Sequence, residues 1–114
     1  RTFRPPMAQD RLAQLHAMLA EEPGDKFLRY AIVLERKREG DMEGAASDLE
    51  ALLREDPAYI ACYYQLAVVL ADLGRTADAR HACEAGALQC HVTGDRKARS
   101  ELLALMNGLE EEDA

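Results

Sequence analysis

The chain has no tryptophan and few aromatic side chains; four tyrosines and two phenylalanines make up 5 % of its 114 residues. Valine and isoleucine are sparse too, which argues against a sheet. Ala, Leu, Glu and Arg take their place, and all four are good helix formers. An all-α protein is expected, long enough for one domain with a modest core.

Positive charge is in deficit. The formal net charge is −7, which makes nucleic acid and anionic membrane surfaces poor partners. No aromatic-basic interleaving suggests a nucleic-acid site. No apolar run approaches the ~20 residues that a membrane span needs. The opening "RTFRPP" is basic but lacks the apolar core of a signal peptide. Cys62, Cys83 and Cys90 form an odd set with no small-scaffold spacing. Reduced thiols in a cytoplasmic protein are the expectation.

Catalytic patterns are missing as well. His16, His81 and His91 stand in no catalytic spacing, and no glycine-rich phosphate loop is present. No nucleophile–base–orienter set can be assembled, so a non-enzyme without cofactor is expected. Cys83, Cys90 and His91 invite a metal reading. Cys83 and Cys90 are two helical turns apart, about 10.5 Å, too far for one zinc without a third element, and there is no CxxC. Small core residues are the better reading of the cysteines. A metal or redox role is the lesser alternative.

What the chain does contain is helical periodicity interrupted at regular places. Residues 1–6, with Pro5 and Pro6, read as an extended arm. Over 7–22, Leu12, Leu15, Met18 and Leu19 recur at helical spacing until "PGD" stops the helix. Asp25 caps a second helix, which Gly40 ends, and Asp41 caps a third. That third helix sets Ala45, Ala46, Leu49 and Leu52 on one face before "EDPAY" breaks it. A fourth helix carries Tyr63, Leu66, Ala67 and Leu70 and ends at Gly74. The fifth buries Ala79, Ala82, Cys83, Gly86, Ala87 and Cys90, and "HVTGD" is the last break. The sixth, over 95–109, offers Leu102, Leu103, Met106 and Leu109, and frays into an acidic tail at 111–114. Loops this short make the six neighbouring helices antiparallel.

Pro23 and Pro57, Gly40 and Gly74, and Ala45 and Ala79 are each separated by 34 residues. A 34-residue helix–turn–helix period is the tetratricopeptide signature, and the chain resembles that family over 7–110. The repeats are 26–57 and 60–91, with flanking helices at 7–22 and 95–109. The match is best in the second repeat, at Tyr63, Leu66, Ala67, Leu70, Gly74 and Ala79. The first departs from the family at Arg29 and Arg36, where large apolar residues are usual; in the second, His91 replaces the usual proline. Strict continuation of the period would bury Ser100 and Glu101. A shift of two residues buries Leu102 and Leu109 instead, and burying an unpaired Glu is costly. The resemblance implies a right-handed solenoid of helical hairpins.

The resemblance also implies that the first helix of each repeat lines a concave groove. The matching positions are Phe27, Tyr30, Leu34 and Lys37, then Ala61, Tyr64, Gln65, Val68 and Ala71. Their spacing keeps each set on one helix face, away from the Leu66–Leu70 stripe. A tyrosine-bearing apolar groove suits a peptide or a partner helix. The alternatives are that the flanking helices cover these residues, or that the groove is buried in a homodimer. Family members that grip a C-terminal carboxylate use Lys and Asn where this chain has Tyr30, Leu34 and Gln65, so that specificity is not expected. Arg29, Arg36, Lys37 and Arg38 form a basic strip, read as a solvated face whose Arg36 and Lys37 are met by Glu35 and Glu39.

Overall fold

The computed structural model describes residues 8–113, with side chains at 10–109; the arm at 1–6 lies outside them. Six helices follow one another: α1 (Ala8–Glu21), α2 (Lys26–Arg38), α3 (Met42–Glu55), α4 (Ile60–Asp72), α5 (Thr76–Thr93) and α6 (Arg96–Asp113). The described residues contain no strand. The stack measures 55 × 30 × 21 Å with a radius of gyration of 15.7 Å, against about 13 Å for a compact globule of this length. Elongation follows from the connectivity, because each helix packs mainly on its chain neighbours and only α4 and α6 add a longer-range contact.

The boundaries follow the expected chemistry. Asp25, Asp41 and Asp95 each accept a hydrogen bond from the amide three residues on, at Leu28 (3.0 Å), Gly44 (3.0 Å) and Ala98 (3.1 Å). These carboxylates satisfy amides that a helix start leaves unpaired. Gly40 and Gly74 adopt left-handed φ values of 86° and 78°, a region that costs other residues a Cβ clash. Between α3 and α4 the Tyr63 hydroxyl donates to the Pro57 carbonyl, tying the proline joint to the core.

Small residues let the helices close on one another. Ala45, Ala46, Ala67 and Ala79 are buried beside Leu49, Leu52, Leu66 and Leu70. Gly86 is the tightest point: a Cβ there would lie 2.6 Å from Tyr63 Cβ and 2.9 Å from Leu102 Cδ1. Leu102 and Leu109 are buried while Ser100 and Glu101 are exposed, as the two-residue shift requires.

Two expected boundaries are corrected. The expected break "HVTGD" is in fact Gly94–Asp95 alone, since His91, Val92 and Thr93 remain helical. With His91 where the family has proline, nothing removes the amide or forces the turn, so α5 continues to Gly94, which turns left-handed at φ 80°. The Gly94 and Asp95 amides then close on the Cys90 carbonyl. At the other end, the backbone does not fray after residue 109; α6 stays helical through Asp113.

The basic strip is also paired differently from expectation. Arg29 meets Glu55 at 2.7 Å, and Arg36 meets Asp41 at 3.0 Å and Asp48 at 2.9 Å. Both arginines therefore cross to α3, where the family would have apolar side chains. Their aliphatic stems cover the interface and their heads reach solvent-side carboxylates. Only Arg38 pairs within its own helix, with Glu35 at 3.7 Å.

Candidate functional site

Nine positions were expected on one surface, and α2 and α4 place them side by side. The link between the two helices is polar. Lys37 Nζ donates to Gln65 Oε1 at 3.0 Å, and Gln65 also hydrogen-bonds the Tyr30 side chain. Burial raises the Tyr30 pKa, and the Gln65 contact opposes it. Lys37 thus finds its partner on α4 rather than at Glu39.

Around this link lies apolar surface that the core leaves over. Phe27 is 73 % exposed, and Leu34 and Tyr64 are each 39 % exposed. Ala61 is exposed, while Val68 and Ala71 are half-buried. Neither α1 nor α6 covers Phe27, Leu34 or Tyr64.

Two contributors were missed in the sequence. Tyr59 stacks on Tyr30, ring centroids 5.6 Å apart and planes at 24°. It stands 34 residues after Asp25, at a capping position that donates no side-chain cap, so its aromatic ring was the available signal. α1 also extends the surface. Leu15 and Met18 line one hollow with Ala31 and Leu34, and Met18 lines a second with Phe27. Arg11 and Glu35, 3.4 Å apart, close the first hollow at its edge. Phe27 and Leu34 therefore face the α1 side, and Tyr64 and Val68 belong to α4.

The cysteines lie elsewhere, and all three are buried. Burial first, with Asp56 adding and Arg29 opposing, pushes the Cys62 thiol up to about 11. Burial and then Glu84 push Cys83 up to about 11. Burial raises Cys90 as well. Such thiols stay protonated and are poor nucleophiles. Unfolded, they ionise near 9.0, so between about 9 and 11 the folded state holds more protons than the unfolded one. Stability therefore falls across that window. The denaturant midpoint should drop as pH rises from 9 to 11, and a thiol reagent at pH 8 should label all three only as fast as the chain unfolds. Prompt labelling of the native protein would contradict this burial. Among the described residues, no group of three His, Cys, Asp or Glu side chains could hold a metal ion, and no helix is long and apolar enough to cross a membrane.

This hairpin stack has known counterparts. The tetratricopeptide-repeat family model matches residues 37–89. A TPR repeat-containing protein, PA0015 of Pseudomonas aeruginosa, is 30% identical over 96 residues, covering 84% of this chain and 91% of its own length. Protein BPP2914 of Bordetella parapertussis superimposes with a TM-score of 0.81 at 28% identity, covering 97% of this chain and 93% of that one. The TPR2B domain of yeast Sti1, solved in complex with pHsp70, reaches a TM-score of 0.83 at 13% identity over 92% of this chain and 84% of that one. The chain belongs to the tetratricopeptide-repeat family, whose repeats generally serve as protein–protein interaction modules.

Proposed function

We propose that the protein is a non-catalytic interaction module that takes a peptide or a partner helix along the face of α2 and α4. One observation carries this reading: Phe27, Leu34 and Tyr64 stay exposed on helices whose other faces already complete the core. Apolar surface of this kind, beside a fixed polar link, gives a partner anchors and register. The Lys37–Gln65–Tyr30 link holds α2 and α4 in place, so a ligand meets a preformed surface. Reduced, buried thiols fit a cytoplasmic setting.

The Sti1 domain bound to pHsp70 supports the use of this fold for peptide capture, not the same ligand. Tyr30, Leu34 and Gln65 stand where carboxylate-gripping members carry Lys and Asn, and Lys37 is engaged by Gln65. A partner with apolar side chains one helical turn apart suits the face better than an acidic C-terminus.

A pull-down comparing the intact chain with a Tyr64→Ala, Val68→Asp variant tests this. Specific partners should be lost with the variant, while Tyr64→Ala alone changes stability by less than about 1 kcal/mol, as at other half-exposed sites. Identical capture by both chains would overturn the reading. A large loss of stability from Tyr64→Ala would make that side chain part of the packing instead.

A further inference from the structure

The first turn of α6 carries Arg96, Lys97 and Arg99, all exposed. None forms an ion pair among the described residues, whereas Lys26, Arg29, Arg36, Arg38 and Arg75 all do. In a chain with 21 acidic and 14 basic residues, three adjacent unmatched cations are unexpected. They also sit at a helix N-terminus, where the helix dipole disfavours positive charge. The other end of the same helix reads Glu110, Glu111, Glu112, Asp113, where the dipole disfavours negative charge. Both ends of α6 thus carry the wrong sign for an isolated helix. They cannot neutralise each other within one chain, because Lys97 and Glu111 are about 21 Å apart along the axis.

We propose that α6 pairs antiparallel with α6 of a second copy of this chain, about a two-fold axis at Ala104. In that register, positions equally distant from Ala104 meet. Lys97 and Glu111 are both seven residues from it, and Arg96 and Glu112 both eight. Each cation of one copy then faces an acid of the other, four pairs in all, and the two helix dipoles oppose. Seven residues is close to two turns, so Lys97, Ala104 and Glu111 share one helix stripe. That stripe lies opposite Leu102 and Leu109, which are buried against α4 and α5. The face between the charged ends is exposed and bears no bulky side chain at Ser100, Ala104 or Gly108. A Cβ at Gly108 would meet nothing within 4 Å, so this chain alone gives that mid-helix glycine no packing reason. A second helix laid on the stripe uses the clearance. The surface differs from that of α2 and α4, and the pairing stands or falls independently of partner capture there.

Sedimentation equilibrium of the full chain, from about 10 µM to about 1 mM, tests it. In about 50 mM salt the mass should rise towards that of a dimer, and about 500 mM salt should weaken association about tenfold or more. Arg96→Glu with Lys97→Glu should weaken self-association at least about tenfold, and so should Glu111→Lys with Glu112→Lys. An equimolar mixture of these two variants should regain the dimer as a heterodimer, because every reversed charge then meets its opposite. A monomeric mass throughout the low-salt series would overturn the proposal. So would a dimer indifferent to salt and to both reversals, or a failure of the mixture to associate while circular dichroism shows both variants folded.

Discussion

Gly86→Val should be the most damaging single substitution in the chain, removing about 3 kcal/mol or more and lowering the melting temperature by roughly 10 °C or more. The first added carbon already lands 2.6 Å from Tyr63 Cβ and 2.8 Å from Tyr63 Cγ. Tyr63 cannot give way, since its Cβ moves only with the α4 backbone and its hydroxyl is held by Pro57. Leu102 Cδ1 closes the other side at 2.9 Å. α5 must therefore separate from both α4 and α6. Gly86→Ala should be milder, because alanine's better helix propensity, about 1 kcal/mol, offsets part of the strain. Thermal unfolding followed by circular dichroism ranks the two; a valine variant as stable as the parent would mean that α4 and α5 are not packed this closely.

The second large effect is expected at Leu102. Truncation to alanine should cost about 2–5 kcal/mol, because the side chain is among the largest of the fully buried ones and packs with Tyr63 and Cys90. Ser100→Ala and Glu101→Ala should each stay within about 0.5 kcal/mol. The contrast between neighbours measures the register of α6 directly. If the order were reversed, the unshifted 34-residue frame would be the right one.

Most of the architecture could be read from residue spacing. Asp25, Asp41 and Gly74 punctuate the chain with side chains and backbone freedoms that act locally, so their meaning survives without a structure. The small residues Ala45, Ala67 and Ala79 repeat because close helix approach repeats. Long side chains were harder to place. Arg36 and Lys37 had acidic neighbours in sequence, yet their heads cross to Asp48 on α3 and Gln65 on α4. A side chain of that length samples several partners, and only the packed helices choose among them. Tyr59 was missed for a related reason, since a loop residue has no periodicity and its ring contact with Tyr30 is set by tertiary packing. The α1 contribution at Leu15 and Met18 was legible as a helix stripe, but not as surface shared with Leu34.

The way each helix leans on its neighbour distributes stability unevenly along the stack. α4 is held by α3, α5 and α6, and most of its residues are buried. α1 touches α2 alone among the strong contacts, and none of its described side chains is fully buried. Leu12, Leu15 and Leu19, with the Arg11–Glu35 pair, are all that hold it. In such a one-dimensional array, terminal units open without the rest. The N-terminal helix is therefore a hinged leaf on a rigid spine, and the apolar margin it shares with α2 widens or narrows as that leaf swings.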